Sequence, residues 1–175
     1  MRKYLKSLLI IFVLAFAAFS SVLGTKVLSE ERITTDTASQ YNPAIYGDIV
    51  VWQDDRNTNT DIYGYNLKTK QEFPICIKNG NQEYPAIYGD IVVWQDDRNT
   101  NTDIYGYNLK TKQEFPICIK NGNQEYPAIY GDIVVWHDYR NSTTTGVDIY
   151  GYNLKTGQEF PICIKNGNQE YPAIY

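Results

Sequence analysis

The chain holds one histidine, three cysteines and one methionine in 175 residues, and that scarcity removes most routes to catalysis, metal binding and redox work. The histidine, His137, stands where two matching segments carry Gln53 and Gln95, so its position accepts an amide. Cys76, Cys118 and Cys163 each occupy the same place in the string FPICIKNG, and their number is odd. Equivalent positions in stacked modules lie a module apart, beyond the limit of about 7 Å between alpha carbons that a disulfide tolerates. They read as small apolar side chains in a strand, and without a nearby His or second Cys they make no metal site. No serine sits in a nucleophile-elbow context. The paired carboxylates Asp54-Asp55 and Asp96-Asp97 are sequence neighbours, so within a strand they point to opposite faces. Carboxylates from different modules remain free to meet.

Long apolar runs are scarce as well. The one present is Leu8 to Phe19, preceded by Arg2, Lys3 and Lys6 and followed by the small residues Ser20 to Gly24. This three-part layout is that of a secretory signal peptide over residues 1–24. The run is shorter than the roughly 20 residues of a spanning helix. A membrane connection is therefore expected only if this segment stays uncleaved. Its removal leaves 13 basic against 20 acidic residues, a formal −7. With no Lys/Arg cluster and that acidity, nucleic acid is excluded as a partner, because phosphate neutralisation supplies most of such affinity.

What the chain has in abundance is itself. The 42 residues Pro43–Tyr84 recur letter for letter as Pro85–Tyr126. A third copy, 127–171, carries a three-residue insertion at RNSTTTGVD, where the others read RNTNTD. The final Pro172–Tyr175 repeats the opening of a copy. A period of 40 to 50 residues implies a solenoid, a propeller or an array. Each copy contains four short β-type runs: Pro43–Tyr46, Asp48–Asp54, Asp61–Leu67 and Glu72–Ile77. Turn residues separate them, at Gly47-Asp48, Arg56–Thr60, Lys68–Lys70 and Asn79-Gly80-Asn81. In the third run Tyr63, Tyr65 and Leu67 share one face; in the fourth, Phe73, Ile75 and Ile77 do. No helical stripe is long enough to count. Four strands per 42 residues is the layout of a β-propeller blade, whereas a parallel β-helix uses shorter coils. Pro74 inside the last run suits an outer edge strand, where no amide donor is needed.

The segments PAIYGDIVVWQDDRN and DIYGYNLKT resemble the TolB-like propeller repeats found in tandem in cell-surface proteins of methanogenic archaea and in some bacteria. The likeness runs from about Tyr41 to the last residue. It implies an all-β fold of three four-stranded antiparallel blades (43–84, 85–126 and 127–171) after a signal helix and a leader, 25–42. It also implies that Pro43–Tyr46, Pro85–Tyr88 and Pro127–Tyr130 are innermost strands, with 172–175 the first strand of a fourth blade. Propellers close with 4 to 8 blades, so the three imply an incomplete ring or one closed by association through open blade edges. Two chains would give six blades.

In an up-and-down blade, the loop Asp55–Thr60 shares a rim with the loop Lys78–Glu83. The candidate binding rim is therefore Asp55, Arg56, Asn57, Asn59, Glu83 and Tyr84, with Asp97, Arg98, Asn99, Asn101, Glu125, Tyr126, Arg140 and Asn141 in the later copies. The bland alternative is that these residues only cap turns. Asp55, Asn57, Asn59 and Asp61 alternate oxygen groups as the start of a calcium loop does. The turn glycine and distal glutamate of such a loop are missing, and the third copy has Tyr139 in the leading place. Calcium is thus a weak candidate, and no other cofactor is implied. Asn141-Ser142-Thr143 is the single N-glycosylation acceptor, at Asn141. An active site needs different groups in different roles, whereas identical copies offer repeated ones. The expectation is an exported, non-catalytic binding, adhesion or envelope-structural module for envelope glycans or surface proteins. The alternatives are a carbohydrate-active propeller enzyme and a fragment of a longer surface protein.

Overall fold

The computed structural model describes residue 30 and residues 32–175; the signal segment expected over 1–24 lies outside the described residues. Among the described residues, twelve strands form three four-stranded antiparallel sheets, each in simple sequence order. The first sheet holds β1 (Gln40–Tyr46), β2 (Ile49–Asp54), β3 (Asp61–Asn66) and β4 (Gln71–Cys76). The second holds β5 (Gln82–Tyr88), β6 (Ile91–Asp96), β7 (Asp103–Asn108) and β8 (Gln113–Cys118). The third holds β9 (Gln124–Tyr130), β10 (Ile133–Asp138), β11 (Asp148–Asn153) and β12 (Gln158–Cys163). These are three successive blades of a β-propeller. The innermost strands β1, β5 and β9 begin three residues ahead of the sequence expectation, at Gln40, Gln82 and Gln124. Pro74, Pro116 and Pro161 lie on β4, β8 and β12, the outer edge of each sheet, where a missing N–H breaks no ladder.

The blade is shaped by its turns and two irregularities. Gly47, Gly89 and Gly131 take positive φ in the two-residue turn from the first to the second strand, a conformation glycine adopts without strain. A first bulge lies early in each innermost strand, as between Tyr41 and Ala44 or between Glu83 and Ala86. A second lies in each outermost strand: Ile62 pairs with Cys76 while Tyr63 pairs with Pro74, leaving Ile75 as the extra residue. That extra residue overturns the expected face of Phe73, Ile75 and Ile77. The alternation slips by one at Ile75, so Ile75 and Cys76 are both buried and Ile77 is turned outward.

Apolar side chains alternate between the two faces of each blade, and neighbouring blades pack face to face. Val51, Ile62, Ile75 and Cys76 of the first blade meet Ile87, Val92 and Trp94 of the second. The same set recurs one module on, where Val93, Ile104, Ile117 and Cys118 meet Ile129, Val134 and Trp136. A neighbour is what closes these faces. Ile87 and Ile129 are 8% and 7% exposed at the two junctions, while the equivalent Ile45 of the first blade is 61% exposed. Ile75 and Ile117 are each 7% exposed, against 51% for Ile162 of the third blade. Full burial of such a side chain stabilises by about 1.5–3 kcal/mol, so a blade's folding energy depends on the blades beside it.

Candidate functional site

One rim carries the loops between the second and third strands together with the starts of the innermost strands. The loop residues singled out from sequence are brought together there, bound chiefly to one another. Asp54 is buried, and its carboxylate accepts from the Trp52 indole at 2.8 Å and from Arg56 Nε and Nη2 at 2.8 and 2.7 Å. Burial raises the pKa of Asp54, but the hydrogen bonds from Arg56 and Trp52 override it and hold the carboxyl below its ordinary value. The guanidinium also pairs with Glu72 on β4 and lies 4.0 Å from the Tyr63 ring centroid. Arg98 and Arg140 repeat this with Asp96 and Asp138, with Glu114 and Glu159, and over Tyr105 and Tyr150.

Asn57 and Asn59 turn amide N–H groups, not oxygens, toward Asp61, at 2.5 and 2.9 Å. Asn59 also donates to the backbone carbonyls of Lys78 and Gly80, tying the two loops of the rim together. Asn99 and Asn101 do the same around Asp103. Burial raises the pKa of Asp61 and Asp103, and the asparagine hydrogen bonds offset only part of that rise. Asp55 accepts from Thr60 and from the Tyr41 hydroxyl, each at 2.8 Å. Of the four oxygen-bearing residues weighed as a calcium loop, Asn57, Asn59 and Asp61 therefore form a carboxylate–amide cluster with amide donors already on Asp61, and Asp55 is engaged by Thr60 and Tyr41 instead. Among the described residues, no group of three or more His, Cys, Asp or Glu is placed to hold a metal ion. Asn141, the glycosylation acceptor, donates its amide to Asp148 at 2.9 Å and to the Tyr150 hydroxyl at 3.3 Å.

Closer to the axis, the rim changes character. Asn42, Tyr84, Tyr126 and Tyr171 are equivalent in successive modules and have φ between 46° and 55°. For a bulky side chain this conformation is an outlier. It turns the tyrosines into a row, with ring centroids 4.4 Å apart for Tyr84–Tyr126 and 5.2 Å for Tyr126–Tyr171. A cavity of about 340 Å³ opens against these rings and against Pro85, Pro127 and Pro172. Glu83 precedes Tyr84 on β5; burial raises its pKa, and Asp97, Asp55 and Glu125 add like-charge repulsion. A second tyrosine row, Tyr46–Tyr88–Tyr130, occupies the opposite end of the same inner strands with centroids 4.7 and 4.8 Å apart. On that opposite side lies a groove of about 890 Å³ between the first two blades. Its floor includes Phe73, Tyr107 and Leu109, which belong to the junction core, so packing between blades accounts for its apolar character.

Two sets of residues escaped the sequence reading. One is the interblade contact of the cysteines: Cys76 Sγ donates to Glu114 at 3.3 Å and accepts from Arg98 at 3.2 Å. The other is the side chain that receives the N–H of each strained tyrosine. Gln53 Oε1 accepts from Tyr84 at 2.9 Å, and Gln95 Oε1 accepts from Tyr126 at 3.0 Å. The signal available was that Gln53 and Gln95 lie in strands and yet are polar.

Solved structures with the same arrangement are propellers. TolB from Acinetobacter baumannii superposes with a TM-score of 0.65 at 18% identity, over 81% of this chain and 36% of that one. The putative TolB from Agrobacterium tumefaciens gives 0.62 at 16%, over 74% and 50%. The β-propeller domain of the Trilobed protease from Pyrococcus furiosus, which has an open velcro topology, gives 0.56 at 15%, over 72% and 43%. The chain has a TolB-like propeller fold. It spans half or less of the length of each of these proteins. No protein-family model matches it, and no curated protein does. The neighbours also include a puromycin hydrolase and the dipeptidyl peptidase 4 of Porphyromonas gingivalis, so the likeness fixes the fold and leaves the activity to the site.

Proposed function

We propose that the protein is an exported, non-catalytic propeller module that binds envelope glycans or neighbouring surface proteins through the axial mouth framed by Tyr84, Tyr126 and Tyr171. The observation that carries this reading is the recurrence of a bulky residue at positive φ in successive modules, each ring turned to the same cavity. Such a conformation costs about 1–3 kcal/mol per residue, and strain of that kind collects where side chains must be aimed. Tyrosine supplies rigid, amphipathic contact area at little entropic cost. The outer rim residues Arg56, Asn57 and Asn59, with their equivalents, support the mouth by fixing the loops around it. Equal groups offered once per blade favour repeated weak contacts, which gain from effective concentration. The same repetition disfavours chemistry, which needs unlike groups converging on one atom. The resemblance to tandem repeats of surface proteins and the acidic balance point to the same setting.

The test is a glycan array and a panel of polysaccharide substrates, run with the wild-type protein and with Tyr84→Ala and Tyr126→Ala. Binding that each alanine weakens at least tenfold, without turnover, is the expected result. Turnover of any substrate, or binding indifferent to both tyrosines, overturns the reading.

A further inference from the structure

His137 is the one place where the three modules differ in a group that titrates near neutrality. At the first two joints an amide oxygen holds the strained tyrosine of the following strand, Gln53 for Tyr84 and Gln95 for Tyr126. At the third joint the acceptor is His137 Nδ1, which takes the N–H of Tyr171 at 3.4 Å. An amide oxygen accepts at any pH. An imidazole nitrogen accepts only while it carries no proton.

We propose that this third joint is a pH-sensitive latch. Neutral His137 clamps Tyr171 at the axial mouth, and protonation of Nδ1 releases it, while the first two joints stay closed. The remaining anchors of the segment fix where release begins. Gly167 and Gln169 donate to the carbonyls of Thr145 and Val147 at 2.8 and 2.7 Å, so the loop up to Gln169 keeps its bonds and the freed part starts at Tyr171.

Every charged group facing the ring is acidic. Glu125 on β9 lies 3.8 Å from Nε2, Asp138 neighbours the histidine on β10, and Glu170 precedes Tyr171. The remaining neighbours are the rings of Tyr126, Tyr139 and Tyr171, with centroids at 4.7, 5.8 and 5.5 Å. The Nε2 atom, which carries the proton of the neutral tautomer, is buried without a hydrogen-bond partner and faces Glu125, so the new donor of the doubly protonated ring is Nδ1, set against the Tyr171 N–H. Burial lowers the histidine's pKa, and Glu170 and Asp138 offset part of that. The latch therefore opens below the ordinary histidine value. Once the bond is gone, Tyr171 keeps its ring contacts with Tyr126 and His137 but loses the hydrogen bond that fixes its backbone at φ 55°, and the mouth loses the anchor of its third ring.

Hydrogen exchange of the full chain, expressed as protection factors at pH 7.5 and pH 5.0, tests this. Protection of the Tyr171 amide should fall at least tenfold in acid, while 82–88 and 124–130 should hold. His137→Gln should keep the neutral-pH protection and abolish its pH dependence. Gln95→His should transfer the dependence to 124–130. Equal protection of the Tyr171 amide at both pH values overturns the proposal. So does a pH dependence that survives in His137→Gln, or a nitrogen shift placing the neutral proton on Nδ1.

Discussion

Arg98 reaches across the junction of the first two blades and donates from Nη2 to the sulfur of Cys76 at 3.2 Å, while the same Nη2 and Nε grip its own blade's Asp96. Arg140 and Cys118 repeat the contact at 3.2 Å in the next junction. One guanidinium thus links a buried carboxylate, the Glu on its own outer strand and the thiol of the preceding blade. In the first blade Arg56 meets Asp36 of the leader at 3.9 Å in place of a thiol. The leader also copies the backbone contact of a preceding module: Ser39 O accepts from Asp55 N as Asn81 O accepts from Asp97 N.

Removing that guanidinium leaves Asp96 buried without its cation. Arg98→Ala is expected to destabilise by about 3–5 kcal/mol, the range for breaking a buried pair from one side. Arg98→Lys should recover only part of this, because an ammonium cannot span two carboxylate oxygens as a planar fork does. Urea unfolding measures both; a loss below about 1 kcal/mol for the alanine variant would mean that Asp96 finds other donors.

The thiols follow from the same contact. Burial, with the Glu114 carboxylate beside it, pushes Cys76 up to about 12, and burial raises Cys118 further. A thiol so placed stays protonated and unreactive at neutral pH. Maleimide labelling of the native protein at pH 7.5 should therefore modify Cys163, which is partly exposed, well before Cys76 and Cys118. Denaturant should make all three equivalent. Equal native rates would show that the junctions open freely.

Strand order, blade number and the outer-edge proline were legible in the sequence because they depend on period and local chemistry. Pro74 could sit only where no donor was needed, and Gly47 only where φ turns positive. That the rim loops lie together was legible from the strand order, but how their side chains bond was not. Asn57 and Asn59 can present oxygen or N–H, and only the fold shows the N–H groups facing Asp61. The tyrosine row was half legible: Tyr84 and Tyr126 stood out as rim residues, yet their strained backbone depends on a bulge that composition does not announce. The face of Ile77 was misread for the same reason, since one extra residue in the outermost strand inverts everything beyond it.

The loop cluster makes a prediction about calcium. A cation at Asp61 would have to displace the Asn57 and Asn59 amides that already neutralise its lone pairs. Neither EDTA nor millimolar calcium should shift the melting temperature, whereas a site filled at 100 times its Kd would add about 2.7 kcal/mol. A clear upward shift with calcium would show that the asparagines turn their oxygens inward when the ion is offered.

Gly80 tests how closely successive blades must approach. It has φ +88°, and an added Cβ would lie 2.6 Å from an Asp97 carboxylate oxygen and 2.7 Å from the Arg98 backbone nitrogen. The obstacle includes backbone, which cannot swing away, so Gly80→Ala should cost about 1–3 kcal/mol from conformation alone, with the clash added. Gly89→Ala is the control, with φ +57° and nothing within 4 Å, and it should cost the conformational part only. Equal losses in urea unfolding would mean that the junction yields.

Acid should separate two classes of carboxylate by sign. Glu114 and Glu159 are held below their ordinary value: burial raises them, but hydrogen bonds from Arg98 and Cys76, and from Arg140 and Cys118, outweigh it. Their stabilisation is complete above the unfolded value and is lost as pH falls through the folded one. Glu83 is raised by burial and by its acidic neighbours, so the folded protein holds that proton more tightly than the unfolded chain. Its ionisation therefore costs stability at neutral pH, and the cost disappears in acid. Glu114→Gln should lower the urea midpoint at pH 7.5 and lower it less at pH 3.5. Glu83→Gln should do the reverse, raising the midpoint at pH 7.5 with a gain that shrinks at pH 3.5. Parallel shifts of the two variants at both pH values would show that packing, rather than charge, sets the worth of these side chains.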